Sequence, residues 1–193
     1  MDKVDIQNKK LVYDDKYKIE EATFRFLRFD GQMSKPERRL VFERGNSSAA
    51  IVWNTDTQKI LSTNQFRYPT YDQGPGWMSE TAAGVIDENE DAEETIRREI
   101  EEEMGYKVTD KLTHIATFYA SPGVSSEKIA LYYVEVSSAN HSGKGGGLAS
   151  ENEDIKIEEW ALSDLWNALE NKTISDAKMI IAVQWLQRKM AQK

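Results

Sequence analysis

Residues 84–106, GVIDENEDAEETIRREIEEEMGY, constrain this chain more than any other stretch. Between Asp87 and Glu103 stand ten carboxylates against Arg97 and Arg98, which leaves a formal charge of −8. The whole chain of 193 residues also carries −8, so the remaining positions balance. Asp91 to Met104 nonetheless reads as a helix. It has no Gly or Pro, its residues are good helix formers, and Gly105 stands just past its end. Its apolar residues Ala92, Ile96, Ile100 and Met104 fall four apart and form a narrow stripe for a core. Glu99 and Glu103 are one turn apart on a shared face, with Glu102 beside them. Like charges at this spacing repel. Such a helix is either a solvated face or a platform for a hard divalent cation, which takes carboxylates, waters and phosphate oxygens as ligands.

Composition narrows the field. Hydrophobic residues make up 39% and charged residues 30%, so a core is attainable. The length suits one large domain, or one domain with a small appendage. No apolar run approaches the length of a membrane span, and MDKVDIQNKKLVYDDKYK lacks the apolar centre of a signal peptide. With no cysteine there are no disulfides, thiolate metal sites or cysteine nucleophiles. The expectation is a cytoplasmic protein using a metal or acid–base chemistry. The acidic balance argues against nucleic acid as a partner.

Along the chain, residues 1–45 read as a small β unit. Ala22, Phe24 and Phe26 alternate with polar neighbours, Asp30-Gly31 signals a hairpin, and Arg39–Phe42 forms the returning strand. A sheet this small is marginal alone, so it is expected to pack on the main domain or on a second subunit. The main domain, 46–193, opens with apolar runs at Ala49–Trp53 and Ile60–Phe66, joined by a turn. Further strands are expected at Leu112–Phe118, Ile129–Val136 and Ile155–Trp160. The stretch 137–150, SSANHSGKGGGLAS, reads as a mobile surface loop. Two C-terminal helices follow, capped by Ser163 and Asp176. The fold class is α+β with a mixed sheet.

The spacing around the acidic helix is G-x5-E-x7-R-E-U-x-E-E-x-G-U, with U usually aliphatic. Gly84, Glu90, Arg98, Glu99, Ile100, Glu102, Glu103 and Gly105 satisfy it, and only Tyr106 departs, by being aromatic. This resembles the Nudix box of the Nudix hydrolase family. Residues 38–67, 80–84 (ETAAG), 121–127 (SPGVSSE), 145–155 (GGGLASENEDI) and 173–178 (TISDAK) resemble the branch acting on nucleoside diphosphate sugars, which includes ADP-ribose and GDP-mannose pyrophosphatases. Pro122, sixteen residues past the box, is a feature associated with ADP-ribose hydrolysis.

The resemblance implies a Nudix fold, a mixed sheet sandwiched by helices, with a small N-terminal antiparallel sheet exchanged between the subunits of a homodimer. It implies Mg2+ as cofactor, with Mn2+ as a substitute, and a nucleoside diphosphate sugar as the small-molecule partner. Glu99, Glu103, Glu153 and the backbone carbonyl of Ala83 would hold the metal. Glu151 would be the general base, with Glu102 a further ligand or water orienter and Arg98 orienting a neighbouring glutamate. Arg67 would grip a phosphate. Tyr17, Arg38, Arg39, Glu80, Glu127 and Lys178 match substrate-contacting or cleft-lining positions. Gly84 is expected to allow a tight loop, Gly105 to end the helix, and Glu90 to favour the helix start. His114 and His141 look uninvolved.

Rival expectations remain. A triphosphate-cleaning Nudix enzyme fits the box but not the N-terminal extension. An isoprenoid diphosphate isomerase relies on a cysteine this chain lacks. A non-catalytic sensor of ADP-ribose would carry a broken box or a DNA-binding appendage. A GDP-mannose-selective pyrophosphatase is compatible with every residue named above.

Overall fold

This computed structural model describes residues 3–192, and the side chain of Glu151 lies outside the described residues. The chain forms two units. One comprises the residues up to Asn46 together with Phe118–Ile129, and the other comprises Ser47–Thr117 with the chain from Ala130 onward.

In the first unit, β1 (Val4–Asp14), β2 (Lys18–Phe26) and β3 (Glu37–Glu43) form an antiparallel sheet in that order. Asp30-Gly31 does make a turn. Gly31 has φ 79° and donates to the Arg28 carbonyl, while Asp30 Oδ1 accepts from the Gln32 amide. Cross-strand ion pairs Lys9–Glu20 (2.8 Å) and Lys10–Glu21 (3.1 Å) tie β1 to β2. Every residue of β1 is exposed. The 121–127 segment is fastened to the end of β3, with the Phe42 amide donating to Val124 and Ser125 Oγ donating to the Phe42 carbonyl.

The second unit is built around β4 (Ser47–Asn54), all eight residues of which are buried. Such a run requires cover on both faces. Its neighbours are β5 (Lys59–Phe66), β8 (Thr113–Tyr119), β9 (Lys128–Val136) and β10 (Lys156–Ala161), in the order β10-β5-β4-β9-β8. Two four-residue strands, β6 (Trp77–Glu80) on β5 and β7 (Ala82–Val85) on β4, complete a seven-stranded mixed sheet. The helices are α1 (Tyr68–Tyr71), α2 (Ala92–Met104), α3 (Leu162–Glu170) and α4 (Ala177–Ala191). Side chains alternate across a strand. Ala50 and Val52 of β4 join Tyr132 and Val134 in a cluster with Ile96, Ile100 and Met104 of α2. On the other parity, Tyr133 of β9 meets Trp185 of α4 at 5.4 Å between ring centroids. The sheet therefore carries helices on both faces, as expected. Among the described residues no helix is long and apolar enough to cross a membrane.

Two local expectations fail. Asp176 does cap α4, accepting from the Lys178 and Met179 amides. Ser163 does not cap α3, whose N-cap is Ala161 with no side-chain bond. Strand β10 runs straight into α3, so Ser163 already lies inside the first turn. The 137–150 stretch is also no free loop. It contains two single 3-10 turns and is hydrogen-bonded to the end of α2.

Candidate active site

The site is organised by α2. Asp91 starts it, accepting from the Glu93 and Glu94 amides at 2.8 and 2.9 Å while Glu94 Oε2 accepts from the Asp91 amide at 3.0 Å. This reciprocal box satisfies otherwise orphaned donors. Gly105 ends the helix in the left-handed conformation at φ 74°, where a residue without Cβ carries little strain. Between these caps, Ile96, Ile100 and Met104 are fully buried. The adjacent row, Thr95, Glu99 and Glu103, turns inward with them, and Glu103 is only 4% exposed.

Glu103 defines the chemistry. Its carboxylate accepts one long bond, 3.3 Å, from the Ala83 amide, and it makes no salt bridge among the described residues. Burial pushes its pKa well above 4.5, and the charges of Glu99 and Glu153 push the same way. A buried carboxylate without an ion partner is costly. Glu99 is likewise raised, first by burial and against the pull of Arg98. The Ala83 peptide stands at this cluster through its bond to Glu103.

Arg98 is held in place. Its Nε and Nη2 each donate to Glu90 at 3.0 Å, and Nη1 donates to Glu99 at 2.8 Å and Glu102 at 3.0 Å. Glu90 also accepts from Thr95 Oγ1. The expectation that Glu90 serves the helix start is therefore corrected: its carboxylate grips the guanidinium that orients Glu99 and Glu102. The two-pronged bond raises the Arg98 pKa and lowers that of Glu90. Gly84 is also corrected. It sits within β7, not in a tight loop. A Cβ there would lie 1.8 Å from Glu99 Oε1, so the absent side chain is the space that the Glu99 carboxylate occupies.

Arg67 and Glu80 form an ion pair within electrostatic reach of Glu103 and Glu153. Arg67 Nη2 donates to Glu80 at 2.7 Å, with Nε at 3.2 and 3.3 Å from the two oxygens. Burial opposes the Arg67 charge, but the Glu80 bond and the charges of Glu80, Glu103 and Glu153 outweigh it and raise its pKa. Glu153 acts electrostatically on Glu99, Glu103 and Arg67, and its Oε2 accepts from the Leu148 amide at 3.0 Å. Glu99, Glu102, Glu103, Glu153, Ala83, Arg98, Arg67 and Glu80 are thus brought together.

The other candidates have these surroundings. The side chain of Glu151 lies outside the described residues; its backbone ends the 3-10 turn Ala149–Glu151. Lys178 is ion-paired to Asp176 at 2.7 Å, at the start of α4. Tyr17, Arg38, Arg39 and Glu127 belong to the first unit, where Tyr17 packs on Phe42, Arg38 donates to Glu21, Arg39 pairs with Glu37, and Glu127 faces Arg44 at 3.6 Å. His114 bonds Thr117, and His141 packs edge-on against Tyr106.

The donor set fits a hard divalent cation: clustered carboxylates, one buried and unpaired, beside a backbone peptide. Among the described residues no three acidic side chains already meet at one point. Arg98 holds Glu99 and Glu102, so ligation requires these to turn.

Residues 43–183 match the model of the NUDIX domain, and the chain belongs to that family. Among curated relatives it is 34% identical to an ADP-ribose pyrophosphatase of Escherichia coli (strain K12) over 185 residues, covering 95% of this chain and 88% of the relative. It is 31% identical to a GDP-mannose pyrophosphatase of Cronobacter sakazakii over 186 residues, covering 95% of each. A crystal structure of an ADP compounds hydrolase shares the fold with a TM-score of 0.72 at 19% identity, over 98% of this chain and 95% of that one.

Proposed function

We propose that this Nudix-family hydrolase of nucleoside diphosphate sugars cuts the pyrophosphate bond of ADP-ribose in preference to other substrates, with Mg2+ as its ion and Mn2+ as a substitute. The products are a nucleoside monophosphate and a sugar phosphate. One observation carries the reading: the buried carboxylate of Glu103, without an ion partner among the described residues, near Glu99 and Glu153 and within electrostatic reach of Arg67. That arrangement wants a cation, and a phosphate is the natural ligand for both the cation and Arg67.

Glu99, Glu103, Glu153 and the Ala83 carbonyl would hold the ion, which supplies charge neutralisation at the pyrophosphate oxygens. Arg98, fixed by Glu90, keeps Glu99 and Glu102 oriented between turnovers. Arg67, fixed by Glu80, offers a planar fork to a phosphate oxygen. Glu151 takes a proton from the attacking water. The water oxygen then bonds to one phosphorus, the bridging P–O bond breaks, and the second phosphate leaves with that oxygen. Positioning and electrostatics supply the catalysis, as phosphoryl chemistry requires. Tyr17, Arg38, Arg39, Glu127 and Lys178 are proposed as further substrate contacts.

Residues 1–45 are proposed as a dimer-forming unit and 46–193 as the hydrolase domain. The wholly exposed eleven-residue β1 supports an N-terminal sheet exchanged within a homodimer, because a long open strand calls for cover. Preference for ADP-ribose over GDP-mannose rests on the higher identity to the ADP-ribose relative and on Pro122. The test is parallel hydrolysis of ADP-ribose, GDP-mannose, ADP-glucose and GTP with magnesium and product identification. Fastest release of AMP and ribose phosphate from ADP-ribose is expected. Fastest turnover of GDP-mannose would reverse the preference, and no turnover of any would favour a binding protein.

A further inference from the structure

The glycine run at 145–147 has a structural role that the box does not explain. All three residues have positive φ, at 63°, 102° and 82°. An α-helix leaves its last carbonyls without intrahelical donors, and here the run supplies them. The Gly146 amide donates to Glu103 O at 2.9 Å and the Gly147 amide to Glu102 O at 3.1 Å. The segment that bears Glu153 is therefore fastened to the backbone of the two residues whose side chains lie in the carboxylate cluster.

The three glycines face different surroundings. A Cβ on Gly145 would lie 2.5 Å from Glu103 O and 2.7 Å from Met104 C, both backbone atoms that cannot retreat. One on Gly146 would meet only Ile155 O, at 3.7 Å. One on Gly147 would lie 2.5 Å from Glu153 Oε2 and 2.8 Å from Glu153 Cβ. Beyond Gly147, the Leu148 amide donates to that same Oε2 at 3.0 Å. The absent side chain of Gly147 and the amide of Leu148 together define where the Glu153 carboxylate rests.

We propose that residues 145–147 are a positioning strap, which registers the 148–155 segment on the last turn of α2, and that Gly147 acts through Glu153 to complete the cation site. This rests on the reading of Glu99, Glu103 and Glu153 as ligands. Gly147 touches no substrate; it is a positioning residue whose contribution is the space left for one carboxylate.

The test is Mn2+ binding to the full-length protein without substrate, followed by electron paramagnetic resonance of free Mn2+, for wild type, Gly147→Ala, Glu153→Gln and the double variant. Melting in excess chelator reports the fold of each. If Gly147→Ala does not fold, Gly147→Asn takes its place, since asparagine tolerates positive φ better and carries the same Cβ. Glu153→Gln and Gly147→Ala should each weaken Mn2+ about 10-fold or more, the scale of lost support around a metal. The double variant should bind no more weakly than Glu153→Gln, because residues acting through one group are not additive. If Glu153→Gln weakens Mn2+ while Gly147→Ala does not, or if the two losses add, the strap proposal is overturned and the ligand assignment stands. If Glu153→Gln binds as wild type does, the ligand assignment of Glu153 fails and the proposal fails with it.

Discussion

Gly84→Ala is the most direct probe of the site, because it adds one methyl group at a known place. The new Cβ would stand 1.8 Å from Glu99 Oε1, 2.1 Å from Cδ and 2.6 Å from Cγ. Carbon atoms settle about 3.5 Å apart or more, so Cδ must retreat by about 1.4 Å, the difference from that spacing. The Arg98–Glu99 hydrogen bond, 2.8 Å at present, does not survive such a shift. A hydrogen bond to a charged group contributes about 1.5–3 kcal/mol, and displacing a ligand's support weakens metal binding by about 10- to 100-fold. The fold has little reason to suffer. Gly84 lies in a strand without positive φ, where a glycine weakens the strand and an alanine does not. The assay is a magnesium titration of ADP-ribose hydrolysis beside melting in chelator. A large rise in the magnesium needed for half-maximal rate is expected, with metal-free melting within a few degrees of wild type. Wild-type magnesium dependence in Gly84→Ala would refute the claim that this glycine makes room for a ligand.

Three further outcomes follow from the same geometry. Burial, then Glu99 and Glu153, raise the Glu103 pKa above 4.5, so its contribution to metal-free stability is present below that value and is lost as pH rises through the folded-state pKa. Glu103→Gln should remove this loss, giving a metal-free protein that melts higher than wild type near neutral pH, with turnover reduced by orders of magnitude; chelator-treated melts at a series of pH values test the first half and initial rates the second. Magnesium at about a hundredfold excess over its Kd should stabilise the wild type by about 2.7 kcal/mol, and Glu99→Gln/Glu103→Gln should largely abolish the rise in melting temperature, so an undiminished rise would move the ion elsewhere. Glu151→Gln should erase the acidic limb of the pH–rate profile while leaving metal-induced stabilisation intact; an unchanged profile would assign the base to another group.

The sequence made α2 legible from end to end, because helix-forming residues, apolar spacing and the flanking glycine all agree there. Strands β2 and β4 were legible too, since Phe24 and Phe26 alternate on β2 and β4 is a continuous apolar run, whereas β1, the longest strand, was not located, because all of its residues are exposed and it has no buried face to give a period. The short strands β6 and β7 were not legible either. Four residues give no period to detect, and they form only because β5 and β4 offer them edges. The partnership of Glu90 with Arg98 is eight residues long, outside the spacing at which helix side chains meet, and needs the chain before α2 to fold back. The role of Gly84 was hidden because a glycine lists no partner; what matters is Glu99 in the space. The anchoring of 145–147 was hidden for a related reason: its acceptors are the carbonyls of Glu102 and Glu103, and backbone carbonyls leave no signature in a sequence.

The register of α2 links the stability of the fold to the chemistry of the site. At about 100° per residue, three residues leave Glu99 about 60° and seven leave Glu103 about 20° from Ile96 around the helix, so both border the apolar stripe. Burying Ile96, Ile100 and Met104, each worth about 1.5–3 kcal/mol, necessarily draws the row Thr95, Glu99 and Glu103 toward the sheet. The same packing that holds the helix therefore desolvates two of its carboxylates. Glu101, on the far side, stays exposed, and Asp91 and Glu94 are absorbed in the helix cap. The charge of −8 is thus divided by helical phase: the carboxylates beside the apolar stripe are raised in pKa and await a cation, while those opposite it are left to water. A one-residue slip of the stripe would bury Arg97 and Glu101 in place of Ile96 and Ile100 and would move Glu103 off its edge. The box spacing is for that reason a statement about packing before it is one about catalysis.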